Sequence, residues 1–296
     1  TGTTVTSNGV ISGTSYKGLT KTGLGTLELQ ATNTFLAPVT VTQGTLKLSN
    51  AAALGASSTG SNRSVAPVLV NGGTLDINGQ TTALGNLTLT SGTISDTAGT
   101  GTLAAYSFNL QSGTVGAALA DVILTGNTSG NSINVYKTTA GTVTVTGANT
   151  YSGSTIVSAG ALLVNNSSGS GTGTGQVTVN GGTLGGTGTI SGGVTINTGG
   201  TLAPGNSPGL LTVGSLVLNT GSTTVMQLEA ITTRGTTYDA VNSNGALTYG
   251  GSLTISLNPG TATIGDYNLF DFTSQSGTFT GRITFIGRSA GTRDSK

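Results

Sequence analysis

The groups that carry most enzymatic and metal chemistry are sparse in this chain. Its 296 residues include no histidine, no cysteine and nine acids: Glu28, Asp76, Asp96, Asp121, Glu229, Asp239, Asp266, Asp271 and Asp294. Cleaving a glycosidic bond takes two carboxyl groups a few ångströms apart, one to give a proton and one to act as base or nucleophile. Asp266 and Asp271 are the acids near one another in sequence. Five residues apart in a strand-like stretch, they point to opposite faces and read as two solvated loop carboxylates. No catalytic residue is assigned, and the chain is not expected to be an enzyme.

The absence of histidine removes the usual general base and the commonest metal ligand. Without cysteine there are neither disulfides nor thiolate sites. The glycine-rich stretch Gly185-Gly186-Thr187-Gly188 lacks the lysine and the following helix of a phosphate loop. Calcium-binding nonapeptide turns need Asp, and none lies between Gly181 and Gly193. Neither a cofactor nor a metal site is expected. Outward rows such as Thr142, Thr144 and Thr146 offer hydroxyls to ordered water or a glycan, although threonine also simply favours strands on an uncharged surface. The tyrosines at 16, 106, 136, 151, 238, 249 and 267 share no repeat position and read as packing or corner residues rather than a sugar-stacking platform.

The elements that would position any such group are strands. Charged residues are 6% of the chain, hydrophobic ones 34%, the net charge is +1 and glycine occurs 51 times. Low charge with a positive mean hydropathy argues against disorder. No stretch has the helical period, whereas short runs of Val, Ile, Leu and Thr bounded by Gly, Asn and Ser have strand and turn chemistry. Without basic clusters there is no electrostatic footprint for nucleic acid, and no apolar run approaches the length of a transmembrane segment. Thr1 to Val5 has neither a basic n-region nor an apolar h-region. A signal peptide is thus expected to have been removed from an extracellular or bacterial cell-surface protein.

A short unit recurs, seen in Gly25-Thr26-Leu27-Glu28-Leu29, Gly44-Thr45-Leu46-Lys47-Leu48 and Gly141-Thr142-Val143-Thr144-Val145. Gly25 to Gly44, Gly73 to Gly92 and Gly141 to Gly160 are each 19 apart, Gly160 to Gly182 is 22 and Gly182 to Gly200 is 18. That spacing predicts a parallel β-solenoid with about twenty residues per coil. Alternation turns Leu27 and Leu29, or Val143 and Val145, inward. Glycine pairs such as Gly72-Gly73, Gly181-Gly182, Gly192-Gly193 and Gly199-Gly200 mark corners where φ is positive. Asn71, Asn78 and Asn180, each beside a glycine, suit the same region, and their amides can stack coil on coil.

A longer period lies over the short one. Lys21, Gly25, Asn33, Thr34, Phe35 and Gly44 map onto Lys137, Gly141, Asn149, Thr150, Tyr151 and Gly160, each shifted by 116. Val70 to Leu75 recurs as Val179 to Leu184, shifted by 109, so the second block is about seven residues shorter, the difference placed in the stretch from Ser57 to Ala66 opposite Ser167 to Gly175. The reading is a solenoid over 1–235 in two tandem modules, about 17–130 and 133–235. A C-terminal β segment over 236–296, for capping or assembly, follows. It ends in a charged tail from Gly287 to Lys296.

These stretches resemble the autotransporter-associated β-strand repeat of large secreted or surface proteins of Gram-negative bacteria. Leu19 to Leu27, Asn33-Thr34-Phe35 and Gly44-Thr45-Leu46 carry the resemblance, and Gly141 to Gly160 carries it more closely; Leu36-Ala37 departs from the Ser152-Gly153 pair of the second copy. Gly200 to Gly209 and Tyr238-Asp239 extend it. Gly25, Asn33, Phe35, Gly44, Gly141, Asn149, Tyr151 and Gly160 are its structural positions here. The resemblance implies a right-handed parallel β-helix acting as adhesin, surface filament or stalk. The expected function is a non-catalytic extracellular structural protein that self-associates into a homopolymer, as filament, stalk or matrix component. The alternative is an adhesin passenger with a glycan or cell-surface partner, and a carbohydrate-active enzyme is the least favoured.

Overall fold

Short β-branched and leucine runs with glycine between them cannot bury a core singly, and they do so here by stacking. The computed structural model describes residues 2–13, 18–35, 37–55, 66–122, 132–206, 208–257, 265–281 and 283–286. Among these there are strands and turns and no helix, and the strands pair in parallel. The fold is a right-handed parallel β-helix.

One face climbs from Thr4–Ser7 through Thr26–Leu29, Thr45–Leu48, the ends of Val68–Asp76 and Thr82–Ser95, and Gly113–Val115. It continues through Thr142–Val145, Ala161–Val164, Gly182–Gly186, Gly200–Pro204, Thr223–Leu228 and Ser252–Leu257 to Ile283–Ile286. A second face runs from Leu19–Lys21 and Val39–Val41 to Ala246–Tyr249 and Ser274–Gly277. A third, discontinuous face joins residues 82–84, 102–105 and 118–120, and higher up 210–213, Ala240–Ser243 and Phe270–Asp271.

The register measures the coil. Thr26 pairs with Thr45, 19 residues on, and Thr183 with Thr201, 18 on. Four coils are longer: Thr45 meets Thr74 and Thr223 meets Ser252 after 29 residues, Thr114 meets Thr144 and Leu253 meets Ile283 after 30. In the first of these the extra length includes residues 56–65, so the stretch from Ser57 lies outside the described residues until Ala66, which is buried. The charged tail 287–296 lies outside them too.

Inside the first face, Leu46, Leu75, Ile94, Val115, Val145 and Val164 stand in register as one buried column. From Val143 a second column, two residues earlier in each strand, runs through Leu162, Leu184 and Leu202. It then meets Thr224, a buried threonine whose hydroxyl has no partner. Outside, Thr4, Thr26, Thr45, Thr74, Thr93, Thr114 and Thr144 align rung upon rung. The threonine row therefore runs along the axis rather than along one strand.

The corners divide their work. Gly72, Gly182 and Gly199 do take positive φ, at 109°, 72° and 82°. The Gly192-Gly193 pair does not have it; a Cβ on Gly192 would lie 2.0 Å from the Gly175 carbonyl oxygen, so the demand there is for close approach. Asn78 adopts φ 46°, the one non-glycine in that region among the described residues. Asn180 instead begins an amide ladder: Asn197 donates Nδ2 to its Oδ1 at 2.7 Å, and Asn219 donates to Asn197 at 2.7 Å.

Each buried side chain of a column packs between the coils before and after it, so truncation leaves a cavity the ladder cannot close. Leu75→Ala is expected to cost about 2–5 kcal/mol in urea denaturation. A loss under about 1 kcal/mol would show that the coils do not share one core.

Candidate functional site

The repeat positions lie where the chain turns from the second face to the first and from the first to the third, and their polar atoms close one coil on the next. Gly44 and Gly160 have φ 64° and 68°, and a Cβ on either would lie 2.3 and 2.2 Å from the carbonyl oxygens of Gly25 and Gly141 one coil below. Gly25 has its own close approach, 2.3 Å from the Thr3 oxygen, and Gly141 a looser one, 2.8 Å from Gln111. The glycines thus stack at a corner too tight for any side chain.

Asn33 and Asn149 tie three coils together in the same way. Asn33 Oδ1 accepts the Ile11 amide at 2.7 Å from the coil below, and its Nδ2 donates to the Ala53 carbonyl at 2.6 Å in the coil above. Asn149 Oδ1 accepts from Leu119 N at 2.7 Å and its Nδ2 donates to Gly171 O at 2.5 Å. Both amides are buried, so each bond replaces a peptide group's lost contact with water. Phe35 and Tyr151 fill the interior beside them. The Tyr151 hydroxyl shares a 2.6 Å hydrogen bond with Thr155 Oγ1, and burial pushes its pKa well up.

Lys21 and Lys137, visible in the sequence as matched positions without an assigned role, have one. Each takes an inward place in a column otherwise of Val, Leu and Ile on the second face. Lys21 Nζ donates to the carbonyls of Thr22, Gly23 and Gln43 at 2.9, 2.7 and 3.0 Å. Lys137, fully buried, donates to Thr139 O and to Ala159 O, the latter at 2.9 Å. Burial lowers the pKa of both ammonium groups. Among the described residues the ion pairs lie elsewhere, between Lys47 and Glu28 at 3.9 Å and between Arg234 and Asp271 at 3.3 Å.

The scattered acids act as clips. Asp76 accepts the amides of Asn78 and Thr97 at 3.0 Å, and Asp96 those of Gly79 and Gly101 at 2.5 and 2.7 Å. Asp121 accepts from Ile133 and Ser152, both at 3.0 Å. Asp239, buried, accepts from Gly209 and Gln227, both at 2.8 Å. Desolvation raises the Asp239 pKa to about 6 against these bonds, with the charge of Glu229 adding to the rise. Asp266 is exposed, whereas Asp271 pairs with Arg234 and accepts from Asn268 Nδ2 at 2.6 Å. No group of three or more potential metal ligands occurs among the described residues.

The last coils collect rings that the sequence scattered. Tyr249 meets Phe270, Phe272 and Phe279 with centroids 5.6, 6.3 and 5.1 Å apart, and Tyr238 meets Tyr267 edge-on at 5.1 Å. Around them opens a hollow of about 530 Å³. Arg234 braces it, donating to Asn268 O, Asn242 Oδ1 and Val241 O at 2.9, 2.5 and 2.8 Å. Ring proximity across coils of unequal length leaves no mark in a repeat alignment.

The chain matches the passenger-associated transport repeat over residues 19–48 and again over residues 135–164. Those stretches hold both lysines, both asparagines, both aromatic residues and all four glycines described above, and the repeat implies a secreted or surface-exposed passenger of generally non-enzymatic kind. No curated protein matches the chain. No helix among the described residues is long and apolar enough to cross a membrane.

Asn149→Ala leaves a buried amide and a buried carbonyl unpaired, for an expected loss of about 2–4 kcal/mol in chemical denaturation; an unchanged midpoint would count against the three-coil tie. For Asp239, the folded pKa lies above that of the unfolded chain, so the native state binds the proton more tightly. Stability is expected to fall as pH rises from about 4 to about 6. Asp239→Asn, which cannot accept both amides, lowers stability overall and flattens that slope. Thermal melts across the window decide it, and a wild-type slope of opposite sign rules it out.

Proposed function

We propose that this chain is a non-catalytic extracellular structural rod of the passenger kind, which self-associates as a surface filament, stalk or matrix component on a Gram-negative cell. The observation that carries the reading is the use made of its polar side chains. Lys21, Lys137, Asn33, Asn149, Asp76 and Asp239 direct their polar atoms at backbone groups, most of them reaching into a neighbouring coil. A group so committed is rigid and shielded, and it serves the ladder rather than a substrate.

A net charge of +1, which offers little repulsion between copies, supports self-association. A second reading is adhesion to a glycan or cell surface, for which the aromatic residues gathered around Tyr249 offer apolar contact area.

Electron microscopy of the purified chain, at increasing concentration, tests the reading. Rods roughly 60 Å long for the described coils, at about 4.8 Å per rung, that grow into longer or bundled forms are the expected outcome. Single rods that stay monodisperse at high concentration would remove self-association and leave a monomeric passenger rod.

A further inference from the structure

Asparagine precedes glycine at Asn8, Asn71, Asn78, Asn180 and Asn244. In that pair the backbone nitrogen meets the preceding side-chain carbonyl with least obstruction, because glycine has no Cβ to shield its amide and leaves the backbone free to turn. The fold gives these pairs different surroundings. Asn78 is held on every side: its Nδ2 donates to Ser49 Oγ at 3.2 Å, its Oδ1 accepts from Thr97 Oγ1 at 3.3 Å, and the Gly79 amide donates to Asp96 at 2.5 Å. Asn180 is exposed, and its Oδ1 alone is engaged, by Asn197 Nδ2 at 2.7 Å. Neither Asn180 Nδ2 nor the Gly181 amide makes a hydrogen bond among the described residues. Asn71, the counterpart of Asn180 at 109 positions earlier, accepts a longer bond, 3.4 Å from Ser91 Oγ. The oxygens of Asn8 and Asn244 accept none among the described residues.

We infer that Asn180-Gly181 is a site of spontaneous covalent modification, at which the chain deamidates with Asn197 as the activating donor. The Gly181 nitrogen gives its proton to water or hydroxide and bonds to Asn180 Cγ. The bond from Cγ to Nδ2 then breaks, and that nitrogen takes a proton from water and leaves as ammonia. The product is a five-membered cyclic imide. Water opens it at one carbonyl or the other, to aspartate or isoaspartate, so the net change is asparagine and water to acid and ammonia. Negative charge gathers on Oδ1 as the new bond forms, and a donor aimed at that atom stabilises it. Asn197 Nδ2 is so aimed, and the ladder steadies it, since Asn197 Oδ1 accepts from Asn219 at 2.7 Å. The open Gly181 amide and the open Nδ2 supply the nucleophile and the leaving group. Asn197 and Asn219 themselves precede threonine, whose branched side chain crowds the same attack. Isoaspartate routes the main chain through the former side chain and adds one carbon to the corner. There Gly182 has φ 72°, and a Cβ on it would lie 2.4 Å from the Gly160 oxygen, so the modification loosens that corner. This chemistry goes beyond the rod reading and is the same for single and associated rods.

The test is incubation of the 296-residue chain in warm, mildly alkaline buffer, folded and in urea, with peptic peptides read over time by mass spectrometry. In the folded chain a gain of one mass unit at Asn180 is expected, faster than at Asn71, absent at Asn78 and accelerating with pH. Asn197→Asp, equal in size and unable to donate, should slow conversion of Asn180 about tenfold when folded and leave the rate in urea unchanged. The isoaspartate form, separated by ion exchange, should melt below the Asn180→Asp variant, which carries the same charge on an unlengthened backbone. Asn180 left intact over a period that converts it in urea, Asn78 keeping pace with it, or a folded Asn197→Asp rate equal to wild type would each overturn the assignment. An isoaspartate form that melts level with the variant would overturn the loosening of the corner.

Discussion

Everything in this molecule answers to one constraint: each turn of the chain must return its peptide groups to hydrogen-bonding distance of the turn before, on more than one face at once. Strand spacing in a sheet is fixed at about 4.8 Å, so a corner that is one atom too wide breaks register on every face above it. That is why Gly44 and Gly160 sit with a carbonyl oxygen of the coil below where a side chain would begin. It is also why extra length appears as whole excursions between rungs. The 29-residue coil from Thr45 to Thr74 delivers Leu75 to the same column position that a 19-residue coil delivers to Ile94.

Meeting that constraint leaves peptide groups stranded at the corners, and the buried polar side chains are what meets their need. A lone ammonium in an apolar column is costly, yet Lys21 and Lys137 are held because the turn beside them offers converging carbonyls with no other donor at hand. Acids do the converse for stranded amides. Asp239 shows the tension between the two demands: it is buried enough for its proton affinity to rise, and its two backbone donors only partly offset that. Electrostatics in this protein is accordingly local, between a side chain and a turn, and seldom between two side chains.

The periodicity made the coil legible, because alternation and glycine spacing follow directly from the ladder: Val143 and Val145 are buried and Thr142 is exposed. The 116-residue shift picked out Asn33 and Asn149 as equivalent, and their bonds are equivalent. What escaped was anything decided by which coils become neighbours after a long excursion. The rings of Tyr249 and Phe279 are 30 positions apart, share no repeat position and meet at 5.1 Å. The role of Lys137 escaped for a different reason: a lysine between strand residues reads as outward, and only the corner geometry shows that its chain is long enough to turn back to the carbonyls. Asp266 and Asp271, five positions apart, have different surroundings: Asp266 is exposed and Asp271 pairs with Arg234.

The three-coil reach of Asn149 bears on how such a rod behaves under tension. A solenoid held only by neighbouring rungs peels one coil at a time, each step releasing about twenty residues of slack. An amide clamped to Leu119 below and Gly171 above resists that, since the coil carrying it cannot leave without breaking contacts on both sides. The two repeats thus act as mechanical stops spaced along a softer thread, and a pulled rod would lengthen in long, uneven bursts that halt at Asn33 and Asn149.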